Sequence, residues 1–116
     1  MKDKPLEKSE LSTSLLSAYL VQLLKTYSIL HWRMPIDGIR SGSSGVRRKN
    51  PLAGFPDYAG VTQKGRFWAA EIKGPGDRLS EKQNAWIQDL RGCSAFVEVL
   101  STYDEVVDFV GRLIHN

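Results

Sequence analysis

Apolar residues near the start of the chain recur at helical spacing: Leu11, Leu15, Leu16, Tyr19, Leu20, Leu23 and Leu24. The spacing predicts a helix that begins at Ser9 or Ser12 and ends near Lys25 or Thr26. Val21 widens the apolar stripe, so this helix is expected to bury more than one face. Ile29 to Met34 mixes β-branched and aromatic residues between turn-like flanks and predicts a strand. His31 and Arg33 fall on one face of it, Leu30 and Trp32 on the other. Residues 35–54, rich in Gly, Ser and Pro, predict a long loop. Phe55 to Lys73 then predicts two short strands joined at Gln63-Lys64-Gly65. Beyond the Gly74-Pro75-Gly76 turn, Ser80 caps a helix that runs to about Arg91, with Gly92 as its stop and Trp86, Ile87 and Leu90 as its buried face. Ala95 to Leu100 predicts a further strand. Ser101 or Thr102 caps a last helix, on which Val106, Val107, Val110, Leu113 and Ile114 recur. The order is α-β-β-β-α-β-α. It predicts one α/β domain over residues 1–116, a small mixed central sheet flanked by helices, with charged residues 1–9 frayed.

Composition excludes several classes of function. Hydrophobic residues make up 41% and charged residues 25%, the balance of a globular domain with a real core. A net charge of +3 and a pI near 9.1 permit a nucleic-acid partner without demanding one. A single cysteine, Cys93, rules out an internal disulfide and is expected to be a buried thiol. His31 and His115 are the only histidines, so there is no Cys/His cluster for zinc. The N-terminus lacks the apolar run of a signal peptide, and nothing approaches the ~20 apolar residues of a membrane span. These features predict a cytoplasmic protein.

Candidate chemistry gathers on the second strand of the hairpin. Alternation puts Phe67, Ala69, Glu71 and Lys73 on one face and Trp68, Ala70 and Ile72 on the other. Glu71 and Lys73 are then neighbours, about 6–7 Å apart at Cα. An acid and a base at the end of an apolar strand are costly to bury without a purpose. If Asp57, entering the first strand, lies beside them, the site holds two carboxylates and a lysine. The pair suits a hard divalent cation such as magnesium, and the lysine suits an anionic substrate. Upstream, Arg40, Arg47, Arg48 and Lys49 carry the positive charge of a segment, residues 38–56, that contains no acid. A basic stretch directly before Asp57 is what a phosphate-backbone binder would use. Arg33 is a further candidate phosphate contact. The bland accounts are a solvated loop and a structural Glu71–Lys73 ion pair.

Pro56-Asp57 followed by Glu71-Ile72-Lys73 resembles the signature of the PD-(D/E)XK nucleases. The continuation Gly74-Pro75-Gly76-Asp77-Arg78-Leu79-Ser80-Glu81-Lys82-Gln83 is similar to the VRR-NUC branch, the virus-type replication-repair nucleases, as found in stand-alone phage-like members. The resemblance covers about residues 52–105 well and implies a restriction-endonuclease-like core. It implies that Asp57, Glu71 and the Ile72 carbonyl ligate Mg2+ or Mn2+, and that Lys73 and Gln83 complete the catalytic set. Gln83 also stands three residues after Ser80, as in a capping box. The implied reaction is metal-dependent hydrolysis of DNA that leaves a 5′-phosphate, in the manner of a Holliday-junction resolvase. Flap or nicked-end cleavage is the alternative, and a non-cutting DNA-binding relative is another. Many relatives place a glutamate on the first helix facing the site, where this chain offers Glu10 or Gln22 without a clear match. Paired nicks need two sites, and the stripe around Leu16, Leu20, Val21 and Leu24 exceeds the needs of one small sheet, so a homodimer in a bacterial or phage setting is expected.

Overall fold

Ser12 opens the first helix: its side chain accepts from the Leu15 N–H at 3.2 Å, and α1 runs Thr13–Thr26. The structure, a computed structural model, describes residues 12–34, 39–41, 46–48 and 51–116. A turn with Ser28 at φ 55° leads into β1, Leu30–Arg33. Two short strands follow, β2 (Ile39–Ser41) and β3 (Val46–Arg48), paired antiparallel as a separate ribbon. Segment 35–54, expected as a loop, is therefore corrected: it carries a hairpin, too short and too polar for its period to be read in sequence. The main hairpin is β4 (Tyr58–Val61) and β5 (Phe67–Ile72). Helix α2 spans Glu81–Gly92, β6 spans Phe96–Leu100, and α3 spans Tyr103–His115. Leaving the ribbon aside, the order is the one expected.

The four-stranded sheet has the order β1-β4-β5-β6. The first three strands are antiparallel, while β5 and β6 run parallel through the α2 crossover. Strand alternation feeds two cores. On one face Trp68, Ala70, Ile72 and Leu100 meet Leu16, Leu20 and Leu24 of α1 and Val106, Phe109, Val110 and Leu113 of α3. On the other, Ala59, Ala69 and Val97 meet Ile87 of α2. Much of the apolar stripe of α1 is used within one chain: Leu16, Leu20 and Leu24 are fully buried and half-buried Val21 packs on the same core, while Leu15 stays exposed. Gly60 has no room for a side chain, since a Cβ there would collide with the Leu30 carbonyl and stand 2.7 Å from the Trp68 ring. A second correction concerns Cys93, which is exposed and serves as the C-cap of α2. The thiol follows the last helical turn, where the chain swings through solvent before entering β6.

Candidate active site

The carboxyl end of β5 is where the sheet opens between α1 on one face and α2 on the other. Open α/β sheets place ligands at such ends. A cleft of about 420 Å³ lies there, lined by Asp57, Glu71, Ile72, Lys73 and Gln83, with Arg33 at its edge. Strand register brings these together. Arg33 pairs with Tyr58, and Tyr58 with Ala70, so the end of β1, the start of β4 and the end of β5 form one rim. Asp57 is fixed twice: Met34 N–H donates to its carbonyl at 2.8 Å, and Ile72 N–H donates to its Oδ2 at 2.9 Å. Lys73 continues β5 by donating its own N–H to the Leu100 carbonyl at 3.0 Å.

Glu71 is 3% exposed, on the α2 face of the sheet. Burial pushes its carboxyl up to about 8, the Asp57 charge beside it adds to the rise, and Lys73 opposes it. Its Oε2 accepts from Gln83 Nε2 at 3.3 Å, while its buried Oε1 has no hydrogen-bond partner. Among the described residues the ion pairs are Arg91–Glu98, Arg112–Glu98 and Arg112–Asp108, all away from the cleft. Glu71 and Lys73 therefore do not form a structural salt bridge.

Gln83 closes the expected cap and also reaches Glu71. Ser80 N–H donates to Gln83 Oε1 at 2.8 Å, and Gln83 N–H donates to Ser80 Oγ at 3.1 Å, closing the capping box. With its carbonyl committed to the cap, the amide can only turn its NH2 toward Glu71. Helix α2 also holds the strap that leads to Asp57. Trp86 Nε1 donates to the Ala53 carbonyl at 3.2 Å and its ring meets Phe55 edge-on at 5.0 Å. Gly54, at φ +86°, lies so close that a Cβ would stand 2.6 Å from Lys82 Cβ. One helix thus braces both carboxylates.

Of the other expected residues, Arg33 lines the cleft with its guanidinium 5.9 Å over the Tyr58 ring. Arg40 and Arg47 are directly opposed in the β2–β3 register and Arg48 faces Ile39, while Lys49 lies outside the described residues. Gln22 does not line the cleft, and Glu10 is outside the described residues. Sequence reasoning missed Thr13, Ser14 and Ser17, which form the α1 wall, and Asp77. Their only signal was position: Thr13 and Ser17, four apart, continue the face of Leu20 and Leu24 into the first turns of α1, with hydroxyls where the apolar pattern stops. Asp77 Oδ2 accepts from Gly74 N–H at 3.0 Å and shapes the turn after Lys73.

Hard oxygen donors, an unpartnered buried Glu71 oxygen and a second carboxylate fit a divalent cation such as Mg2+ or Mn2+. Among the described residues no group of three or more acidic, His or Cys side chains is close enough to form a cage. Asp57, Glu71 and the Ile72 carbonyl would hold the ion, with water completing its shell.

Comparison with known proteins places the chain in a family. A family model described as the VRR-NUC domain matches residues 39–103, from the ribbon through β6. Over 47 residues, 40% of the chain, the sequence is 45% identical to Fanconi-associated nuclease 1 of Danio rerio. The match covers 5% of that protein, so the chain spans a small part of its relative. With the family model covering more than half of its residues, the chain belongs to the VRR-NUC family of nuclease domains.

Proposed function

We propose that this nuclease domain is a divalent-metal-dependent, structure-specific DNA endonuclease that hydrolyses phosphodiesters in branched DNA. The observation that carries the reading is the buried Glu71, unpartnered at Oε1, beside Asp57 and two residues from Lys73. When bound, Mg2+ or Mn2+ would supply Lewis-acid polarisation of the scissile phosphate and acidify a water. The chain's residues do the rest. Asp57, held by the Ile72 N–H, and Glu71, held by Gln83, present neighbouring oxygens on one rim. Lys73 places a cation in the cleft, where it orients the attacking water or offsets the charge that develops on phosphorus. Arg33, over the Tyr58 ring, supplies a guanidinium for the backbone. Arg40, Arg47, Arg48 and Lys49 add the sequence-independent attraction to phosphates.

A four-way junction is the first substrate to test, since a C2 homodimer would deliver paired nicks. A specific observation favours a second reading: the leucines expected to build a dimer face are buried inside one chain. That supports flaps or nicked ends, which need a single cut. Cleavage of junction, flap, splayed-arm and linear duplex DNA, with Mn2+ and with EDTA, tests the proposal. Metal-dependent cutting of a branched substrate in preference to duplex is expected. Metal-independent cutting, or Asp57→Ala, Glu71→Ala and Lys73→Ala enzymes as active as wild type, would remove it.

A further inference from the structure

The α1 side of the cleft differs in kind from the sheet side. On the sheet side, Asp57 and Glu71 are acidic, and Asp77 stands at the turn. A cation held on that side would meet one oxygen of an entering DNA phosphate, and the remaining oxygens need donors opposite. Several donors of the inner rim are already committed. Gln83 gives one amide N–H to Glu71 and its carbonyl to the Ser80 cap, and the Ile72 N–H belongs to Asp57. Besides Lys73 and the second Gln83 N–H, the donors among the cleft-lining residues are those of the hydroxyl-bearing residues of α1 and of Arg33.

Ser14 and Ser17 stand three residues apart on α1, hence on one face and one turn from each other. Ser17 is exposed no more than Ser14, and both line the cleft. Neither hydroxyl makes a hydrogen bond among the described residues, in contrast to Thr26, which donates to the Gln22 carbonyl of its own helix at 2.8 Å. They share the cleft with the buried, unpartnered Glu71 Oε1. A hydroxyl is a neutral ligand, poor at holding a hard cation beside two carboxylates but a good donor to a phosphate oxygen.

We propose that Ser14 and Ser17 of α1, with Arg33, form a phosphate-binding subsite that holds the DNA backbone opposite the Asp57–Glu71 pair. The proposal rests on the nuclease reading and adds a division of labour: the sheet wall takes the cation and the helix wall takes the anion. Thr13, whose Cγ2 would stand 3.8 Å from a Cβ at Gly74, closes the gap between α1 and the turn after Lys73.

The test compares wild type with Ser14→Ala/Ser17→Ala and with Ser14→Thr/Ser17→Thr. Alanine favours a helix, so the first variant keeps α1. Binding of a labelled branched DNA is measured in Ca2+, and Mn2+ binding is measured separately without DNA by electron paramagnetic resonance. For the alanine variant, DNA affinity should fall at least about tenfold, the loss expected for even one hydrogen bond to a charged oxygen, with Mn2+ affinity unchanged. The threonine variant, which keeps both hydroxyls, should recover most of the DNA affinity. Unchanged DNA binding by the alanine variant would overturn the subsite, and so would a drop in its Mn2+ affinity, which would assign the hydroxyls to the cation. If wild type cuts branched DNA and these variants bind as wild type does, only the subsite fails. If wild type neither binds nor cuts it, the nuclease reading falls as well.

Discussion

Placing a carboxyl in the packed face of a sheet raises the free energy of its charged form, and Glu71 carries that cost in its proton affinity. Its carboxyl moves from an ordinary 4.5 to about 8 through burial first and the Asp57 charge second. Between those values the folded chain holds a proton that the unfolded chain has released. The stability tied to that proton is present below about pH 4.5 and is lost as pH rises through about 8. Glu71→Gln should remove this dependence, so its melting temperature without metal should fall less than that of wild type between pH 5 and pH 8. Mg2+ or Mn2+ should raise the wild-type melting temperature at neutral pH and move Glu71→Gln much less, because binding to the folded state alone stabilises it. Parallel melting curves for the two proteins would contradict both statements. Gln83 offers a sharper separation of roles. Gln83→Glu keeps an oxygen for the Ser80 N–H and so keeps the cap, but it sets a carboxylate against Glu71. It should melt near wild type while cutting at least about tenfold more slowly, a loss of transition-state stabilisation near 1.4 kcal/mol. A Gln83→Glu enzyme of full activity would leave Gln83 only its cap.

Among the elements, α2 and the strap before Asp57 behave as one unit. Trp86 and Lys82 hold residues 53–55 while Gln83 holds Glu71, so disturbing the strap should reach the chemistry without touching a cleft residue. Gly54→Ala meets both a left-handed backbone and the Lys82 Cβ. It should destabilise the fold by about 2 kcal/mol or more and lower cleavage as Asp57 shifts. Chemical denaturation and initial rates measure the two effects, and a fully active, fully stable variant would show that the strap is free of the helix. The β2–β3 ribbon lies just upstream and bears Arg40, Arg47 and Arg48. Replacing Arg47, Arg48 and Lys49 with alanine should weaken DNA binding and flatten its dependence on salt, by about one unit of slope for each phosphate no longer neutralised. Magnesium affinity should not change. An unaltered slope would place the DNA elsewhere.

For the whole molecule, the open question is whether α1 is core or interface. Leu20 is fully buried between α3 and the sheet, in the same cluster as Leu16 and Leu24. Leu20→Ala should therefore cost about 2–5 kcal/mol of folding stability, as large-to-small changes in a packed core do. Light scattering should give the same mass for the variant as for wild type. If Leu20→Ala instead converted a dimer to stable monomers, the stripe would be a subunit contact after all. Whatever the assembly, one chain brings Asp57, Glu71, Lys73 and Gln83 to a single rim.

Much of this was legible from the chain alone, because much of it is local. Helices α1, α2 and α3 announce themselves by period and by Ser12, Ser80 and Thr102 at their N-caps. Glu71 and Lys73 share a face because alternation along one strand is set by its backbone. The Ser80–Gln83 box spans a single turn. What depended on distant pieces of chain was decided only by tertiary packing. Asp57 reaches the Ile72 N–H because β4 and β5 pair in one register and not the next. Ser14 and Ser17 line the cleft because α1 packs across the end of β5, and the same packing buries Leu16, Leu20 and Leu24, leucines that sequence offered to a partner. Cys93 is exposed because the chain leaves α2 through solvent. A sequence pattern records which way a side chain points on its own element. Which neighbour it meets there is settled by how the elements pack.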